Sequence, residues 1–110
     1  MKKNKKSIVP TLPEQRTESY WEALNNIIDP EIGVGIIDLG LIYTVEIKKG
    51  IAEITMTFTS MGCPAGPSIT EQIKEEMEKI PGVKKAKITI VWDPIWTADR
   101  MNPNIRFMLP

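Results

Sequence analysis

Residues 41–59 read Leu-Ile-Tyr-Thr-Val-Glu-Ile-Lys-Lys-Gly-Ile-Ala-Glu-Ile-Thr-Met-Thr-Phe-Thr and carry the clearest structural pattern of the chain. Apolar and polar residues alternate on either side of Lys49-Gly50, which is typical of two half-buried strands joined by a tight turn. The apolar side chains of one predicted face are Leu41, Tyr43, Val45, Ile47, Ala52, Ile54, Met56 and Phe58. The opposite face is rich in threonine. The stretch therefore predicts a β-hairpin with one buried face.

The segment before the hairpin predicts an amphipathic helix. Ser19 and Glu22 have the spacing of a capping box, and five apolar residues then share one helical face. These residues are Tyr20, Trp21, Leu24, Ile27 and Ile28. Asp29-Pro30 ends the helix, because proline excludes the preceding residue from helical geometry. Residues 31–40 are glycine-rich and apolar, and they predict an ordered loop.

A second helix and a third strand are predicted after the hairpin. Four apolar residues recur at helical spacing, namely Ile69, Ile73, Met77 and Ile80. Pro67 places the start of this helix either near Pro64 or at Ser68, and Pro81-Gly82 ends it. The alternating segment Ala86–Trp92 predicts the third strand.

These elements have one simple arrangement, in which both helices cover the apolar face of the sheet. The predicted fold is α+β, a two-layer α/β sandwich in the order α-β-β-α-β. Residues Ile105–Phe107 are suited to a short C-terminal edge strand. Thr97–Met101 predicts a single helical turn capped by the Thr97 side chain.

The composition fits one small domain. The chain has 110 residues, 42% of them hydrophobic, with 14 basic and 14 acidic side chains. Four of the basic residues form an N-terminal run of Lys2, Lys3, Lys5 and Lys6. We expect a flexible basic leader over residues 1–16 and a single domain over residues 17–110. Without the lysine run, acidic side chains outnumber basic ones, which argues against nucleic-acid binding.

Missing residue types exclude several functions. The chain contains no histidine and one cysteine, Cys63. A Ser-His-Asp or Cys-His catalytic pair, an imidazole zinc site and an internal disulfide are therefore excluded within one chain. No hydrophobic run approaches a membrane span, and the lysine-rich start lacks the apolar centre of a signal peptide. We expect a cytoplasmic protein with no membrane contact.

Cys63 stands where the hairpin gives way to the second helix. Free N–H groups and the positive end of a helix dipole favour a thiolate, so a cysteine in this position can be reactive. Gly62 and Pro64 suit a tight turn and an early helical position. A thioredoxin-type pair lacks its second cysteine, and Ile69 stands where a phosphatase loop needs arginine. Cys63 is therefore either a functional thiol or a small buried hydrophobic residue.

Carboxylates and aromatic residues gather in the predicted loops. The carboxylates are Asp29, Glu31, Asp38, Asp93 and Asp99. Each is either functional or a turn-forming residue whose side chain bonds to nearby backbone. Trp92 and Trp96 flank Asp93-Pro94, and they either form a partner-docking surface or complete the core.

Four of these segments, in this order, resemble the SufT/PaaD-like iron-sulfur cluster assembly domain family. The segments are Asp29-Pro30-Glu31; Ile37-Asp38-Leu39-Gly40-Leu41-Ile42; Thr55-Met56-Thr57 leading to Gly62-Cys63-Pro64; and Asp93-Pro94-Ile95-Trp96-Thr97 with Arg100-Met101. The resemblance runs from about residue 20 to the C-terminus. Pro94-Ile95 departs from the two prolines usual in the family, as does Pro67. The C-terminal cysteines of the PaaD branch are missing, which favours the stand-alone SufT-like branch.

The resemblance implies a fold like the NifU C-terminal domain and an accessory, non-enzymatic role in iron-sulfur cluster assembly or targeting. It makes Cys63 the functional thiol and transient cluster or metal ligand. The other predicted site residues are the motif residues Asp29, Glu31, Asp38, Gly62 and Pro64 and the partner-surface residues Trp96, Thr97 and Arg100. We expect no tightly bound cofactor, only a transient iron-sulfur cluster or iron. Expected partners are the assembly machinery, client apoproteins and a second copy of the chain in a homodimer.

Two other hypotheses remain open. In the first, the protein is a non-redox scaffold, similar to the PaaD subunit of a multicomponent system, and Cys63 only packs. In the second, it is a small thiol enzyme in which a carboxylate such as Asp38 serves as the base. A carboxylate is a poor base near neutral pH unless its pKa is raised.

Overall fold

The structure, a computed structural model, describes residues 18–59 and 64–103. The described elements are α1 (Ser19–Leu24), β1 (Ile28–Asp29), β2 (Val34–Gly35), α2 (Ile36–Leu39), β3 (Ile42–Lys48), β4 (Ile51–Met56), α3 (Gly66–Glu78), β5 (Lys85–Ile90) and a 3₁₀ helix (Ala98–Arg100). The predicted leader over residues 1–16 and the predicted strand Ile105–Phe107 lie outside the described residues.

The main sheet has three strands in the order β3-β4-β5. Strands β3 and β4 form the predicted antiparallel hairpin, and β4 pairs with β5 in parallel. The turn places Lys49 at φ 52° and Gly50 at φ 82°, which is the geometry of a type I′ hairpin turn. A parallel partner requires a crossover, and α3 supplies it between β4 and β5.

The helices cover one face of this sheet, as the apolar pattern predicts. Ala52, Ile54 and Met56 of β4 are each at most 1% exposed. On α3, the predicted positions Ile69, Ile73 and Met77 are buried in the same cluster. Burial of each large aliphatic side chain stabilises the fold by about 1.5–3 kcal/mol. The mixed helix and strand content confirms the predicted α+β class.

A β-bulge changes which residues of β3 face the core. Ile42 pairs with Met56 but Thr44 pairs with Thr55, so Tyr43 is the extra residue. The predicted alternation placed Tyr43 on the core face with Val45 and Ile47. The observed register puts Ile42 on that face instead. Tyr43 is fully buried but lies outside the main hydrophobic cluster.

The first helix is shorter than predicted. It begins at Ser19, with Glu18 as N-cap residue, and no side chain caps it, so the predicted capping box is absent. Glu18 Oε1 instead accepts a hydrogen bond from Trp21 Nε1 at 2.9 Å. The helix ends at Leu24, and Ile28 is 47% exposed in β1 rather than on the buried helical face.

Residues 31–40 are more regular than the predicted loop. They contain β2, which pairs antiparallel with β1, and the single-turn helix α2. Gly33 has φ 83°, a left-handed conformation that glycine adopts without steric cost. Local hydrogen bonds are sufficient to form the tight β1–β2 turn. The spacing of apolar residues does not predict such bonds.

Two boundaries and one cap differ from the prediction. Helix α3 begins at Gly66, between the two predicted starts, because Pro67 then occupies an early position whose N–H has no intrahelical partner. Strand β5 ends at Ile90 rather than at Trp92. The turn predicted near Thr97 is the 3₁₀ helix, but the Thr97 side chain makes no cap hydrogen bond.

Candidate functional site at one end of the sheet

The topology brings three predicted motifs to one end of the main sheet. Strand β4 runs parallel to β5 and antiparallel to β3, so the end of β4, the end of β5 and the start of β3 coincide. Helix α2 leads into β3 at this end, and residues 91–102 leave β5 there. Residues 57–59 also leave β4 at this end. The elements around α2 and residues 91–102 form the candidate site.

Asn25 caps helix α2 from a distance. Gly35 occupies the N-cap position and has no side chain to offer. Asn25 Oδ1 accepts hydrogen bonds from the N–H groups of Ile37 at 3.1 Å and Asp38 at 2.9 Å. A Cβ at Gly35 would collide with the Asn25 side chain and backbone, so glycine is needed for this approach. Asn25 thus performs the capping that Ser or Asp normally provides locally.

The two carboxylate oxygens of Asp38 accept hydrogen bonds from the side chains of two asparagines. Oδ2 accepts from Asn25 Nδ2 at 2.9 Å, and Oδ1 accepts from Asn102 Nδ2 at 3.1 Å. The Asp38 carbonyl oxygen also accepts from the Asn102 backbone N–H at 2.7 Å. The sequence predicts Asp38 as a loop residue, whereas the structure places it in α2. Asp38 connects α1 to the C-terminal segment through the helix between them.

All carbonyl oxygens of α2 have hydrogen-bond partners. Those of Ile36 and Ile37 accept from the following turn, and that of Asp38 accepts from Asn102. The Leu39 carbonyl oxygen accepts from Trp96 Nε1 at 2.8 Å. An isolated single turn is unstable because helix nucleation is costly and its ends leave backbone groups unpaired. Residues 91–102 therefore stabilise α2, and α2 in turn positions residues 91–102.

Tyr43 and Arg100 extend this contact to the bulge. The Tyr43 hydroxyl donates to the Pro94 carbonyl oxygen at 2.8 Å, and Arg100 Cζ lies 5.3 Å from the Tyr43 ring centroid, within cation–π range. Gly40 packs against the Arg100 backbone so closely that a Cβ would collide with it. The bulge at Tyr43 directs this side chain to the C-terminal segment rather than to the main core.

Arg100 carries an unusual polar atom. Its Nε is buried and has no hydrogen-bond partner among residues 18–59 and 64–103, although the residue as a whole is half-buried. A buried donor without a partner costs free energy, and such atoms call for a structural or functional explanation. Arg100 thus combines a guanidinium that lies over the Tyr43 ring with an Nε donor that has no partner within the described fold.

Burial raises the pKa of Tyr43 above its ordinary value, and the positive charge of Arg100 opposes this shift without cancelling it. The pKa of Tyr20 is also raised, first by burial and then by the negative charge of Glu18. These are the two tyrosines of the chain. Both pKa values therefore lie above that of a tyrosine in the unfolded chain.

The raised pKa values predict that the folded chain loses stability at alkaline pH. The contribution of Tyr43 should be complete below its unfolded pKa of about 10 and should decline as the pH rises through its folded pKa. Tyrosinate absorbance is expected to appear at higher pH in the native chain than in urea. In Tyr20→Phe the remaining tyrosine is Tyr43, and a native titration midpoint at or below the denatured one would contradict its burial.

Asp29 and Glu31 belong to the β1–β2 turn. Asp29 is 1% exposed, and its Oδ1 accepts from the Glu31 N–H at 2.8 Å and the Ile32 N–H at 3.3 Å. This is a side-chain to backbone turn of the kind aspartate favours. Glu31 is exposed. The structure thus gives Asp29 a conformational role and brings neither residue into hydrogen-bond contact with Asp38.

Of the remaining predicted site residues, three are described by the structure and two are not. Pro64 and Thr97 are exposed, and Trp96 is half-buried. Phe58 and Gly66 pack together, and the Phe58 ring centroid lies 6.3 Å from that of Trp92. Gly62 and Cys63 lie outside the described residues. Their predicted role as turn residue and functional thiol therefore stays a prediction.

Two negative findings apply to residues 18–59 and 64–103. No group of three or more carboxylate, cysteine or histidine side chains in this part could hold a metal ion. None of its helices has both the length and the apolar character needed to cross a membrane.

Comparison with known proteins gives the family. Residues 18–90 match the family described as an iron-sulfur cluster assembly protein. The chain belongs to this family. The match spans every strand and α-helix of the described fold, including the Asp38 part of the candidate site, and ends before the Trp96 and Arg100 part.

The iron-sulfur cluster assembly family includes similar proteins of known name. The Fe-S protein maturation auxiliary factor YitW of Bacillus subtilis is 44% identical over 92 residues, which cover 83% of this chain and 90% of that protein. The Fe-S protein maturation auxiliary factor SufT of Staphylococcus aureus is 46% identical over 77 residues, covering 69% and 88%. A solved domain of unknown function from Bacillus anthracis has a TM-score of 0.73 at 37% identity, covering 80% and 85%. The predicted SufT-like family and its accessory role in iron-sulfur cluster assembly are confirmed.

Sequence reasoning missed four residues that build the site. Asn25 directly follows the first helix, a position that suggests a local cap rather than a distant one. Tyr43 follows the strand alternation, and Gly40 and Asn102 are ordinary turn residues in the sequence. Their roles depend on contacts across 12 to 64 positions of the chain, which no local pattern reveals.

Proposed function

We propose that this protein is a non-enzymatic accessory factor in iron-sulfur protein maturation that docks assembly partners or client apoproteins on the candidate site. The single observation that carries the docking role is the bonded contact between α2 and residues 91–102, with Asp38 at its centre. The contact presents Trp96 and Arg100 from a pre-ordered surface. A surface that is ordered before binding loses less conformational entropy on association.

Arg100 supplies the recognition chemistry of this surface. Arginine is enriched among residues that dominate binding energies, and its guanidinium bonds carboxylates in a fixed geometry. Its position over Tyr43 limits its motion, and its Nε has no partner within the described part of the fold. A partner carboxylate or backbone carbonyl would accept from the guanidinium N–H groups other than the buried Nε.

Cys63 supplies the proposed chemistry. It directly precedes Pro64 in the sequence, between the segments that form β4 and α3. A stable cluster usually takes four protein ligands, and this chain offers one thiolate. One ligand favours transient binding of a cluster or iron that is then passed on, rather than a resident cofactor. Asp38 is engaged by two amides, which does not favour it as the base of a thiol enzyme.

The test compares Cys63→Ala with the unmodified chain in cells that lack their own copy and depend on an iron-sulfur enzyme. We expect the variant to leave most of that enzyme in its cluster-free form while the variant itself keeps its melting temperature. Arg100→Gln should impair maturation through docking, with Cys63 present. Normal enzyme activity with Cys63→Ala would contradict the thiol role.

The scaffold hypothesis predicts a different reactivity for the Cys63 thiol. A cysteine that only packs should react with an alkylating reagent only after denaturation, whereas a functional thiol should react in the native state near neutral pH. The scaffold is favoured if Cys63 is unreactive and Cys63→Ala is active while Arg100→Gln is not. These three measurements separate the two functions.

The remaining predictions concern partners and location. A homodimer, which sedimentation of the purified chain would detect, stays a prediction, and so does residence in the cytoplasm. The excess of acidic side chains outside the lysine run supports the absence of nucleic-acid binding.

A further inference from the structure

A groove lies along the edge of the main sheet that is formed by β5, the edge opposite β3. It runs between α3 and the outer edge of β5 and has a volume of about 440 Å³. Thr70 and Lys74 of α3 line one wall, and Ile88 and Ile90 of β5 form its apolar part. None of these residues takes part in the contacts of the candidate site.

The edge of β5 has unpaired backbone groups. The Val91 N–H donates to the Met56 carbonyl oxygen, so the alternate residues Lys87 and Thr89 also face β4. Ala86, Ile88 and Ile90 therefore point their N–H and C=O groups outward. The Ala86 N–H donates to Glu78 Oε2 at 3.3 Å. Within residues 18–59 and 64–103, no group bonds to the outward N–H of Ile88 or Ile90.

The groove carries positive charge on both sides. Lys85 and Lys87 of β5 are exposed on the face away from the helices, and Lys74 overhangs from α3. Two acidic residues adjoin these elements: Glu78 accepts from the Ala86 N–H, and Glu53 of β4 is the register partner of Lys87. A strand that paired with Ile88 and Ile90 would thus place alternate side chains beside isoleucines and beside lysines.

Charge selects the occupant. Two copies of β5 paired about a two-fold axis would bring their lysines together, which disfavours self-association. The segments of this chain outside the described residues lack the complementary charge. Residues 104–110 contain one arginine and no carboxylate, and residues 1–17 contain five basic residues and one acidic residue. An acidic segment of another protein has the complementary charge.

We infer that the β5 edge binds an extended acidic segment of a partner protein, which adds a strand to the sheet. Backbone hydrogen bonds to Ile88 and Ile90 supply the pairing, as in other cases of strand addition. Carboxylates on one side of the added strand meet Lys85 and Lys87, and apolar side chains on the other side meet Ile88 and Ile90. Nucleic acid would use the lysines but not the row of outward peptide groups. This inference stands independently of the proposed function.

The test uses the full chain and a synthetic peptide of alternating glutamate and valine, with blocked ends. Amide hydrogen exchange should slow at Ile88 and Ile90 when the peptide is added, while the inward amides of Lys87 and Thr89 should change little. The double variant Lys85→Gln/Lys87→Gln should weaken the peptide affinity about fivefold. Lys48→Gln, an exposed position on the other edge strand, is the matched control.

Several outcomes would overturn the inference. One is unchanged exchange at Ile88 and Ile90 when the peptide is at saturating concentration. Another is equal binding of a peptide in which lysine replaces glutamate, or equal weakening by Lys48→Gln. Protection of the same amides by increasing the concentration of the chain alone would indicate a second copy. Protection by an oligonucleotide but not by the peptide would indicate nucleic acid.

Discussion

Gly40→Ala is expected to destabilise the folded chain by about 3 kcal/mol, with about 1 kcal/mol from the backbone angle and the rest from steric collision. Gly40 has φ 83°, and its added Cβ would lie 2.6 Å from the carbonyl carbon of Arg100. The obstructing atoms include backbone, so a side-chain rotation cannot relieve them. Thermal unfolding followed by circular dichroism should show a melting temperature lower by about 10–20 °C.

Gly82→Ala is the matched control for this prediction. Gly82 has φ 90°, and no atom lies within 4 Å of its added Cβ. Only the backbone cost of about 1 kcal/mol should appear. Similar losses in the two variants would mean that α2 and the 3₁₀ helix are not in close contact. The indole fluorescence of Trp96, which bonds to Leu39, should change in Gly40→Ala alone.

Asn25→Asp is expected to cost about 2–3 kcal/mol, although it changes a single amide to a carboxylate. The variant keeps an oxygen that can accept from the N–H groups of Ile37 and Asp38, so capping of α2 is retained. It loses the donor to Asp38 Oδ2 and brings two carboxylates to within hydrogen-bond distance, where like charges repel. Chemical denaturation at neutral pH measures the loss.

Two further variants show whether repulsion is the cause. Asn26→Asp places the same new charge at an exposed neighbouring position, where we expect a change of at most about 0.5 kcal/mol. Asn25→Asp combined with Asp38→Asn reverses the donor and the acceptor, and should recover most of the lost stability. If the double variant were as unstable as Asn25→Asp, the bond between these two side chains would not be the source of the effect.

The hairpin and α3 could be predicted from the sequence because their signals are local. Period-two alternation around Lys49-Gly50 and helical spacing at Ile69, Ile73 and Met77 each reflect burial of one face. The hairpin turn and the buried face of α3 are where the pattern predicts them. Tyr43 shows the limit of this reasoning, since one extra residue in a ladder moves a side chain to another face without changing the composition.

Only some members of the candidate site were predictable from the sequence, and the contacts that join them were not. The motifs containing Asp38, Trp96 and Arg100 were identified from the sequence, and the structure connects them through α2. Asp29, from the first motif, makes the β1–β2 turn instead. A short helix such as α2 has too few residues for a periodic signal, and its stability comes from Asn25 and Asn102, which are distant in sequence.

The sequence by itself determined the α+β class, the hairpin, the buried face of α3 and membership of the iron-sulfur cluster assembly family. Those properties depend on residue order and on burial of periodic apolar side chains. The tertiary structure alone decided that Asp38 joins α1 to the C-terminal segment, that Gly40 admits Arg100, and that the edge of β5 stays unpaired among the described residues. These contacts arise when the sheet brings its strand ends together, because a hydrogen bond or a steric fit depends on distance in space rather than on position in the sequence.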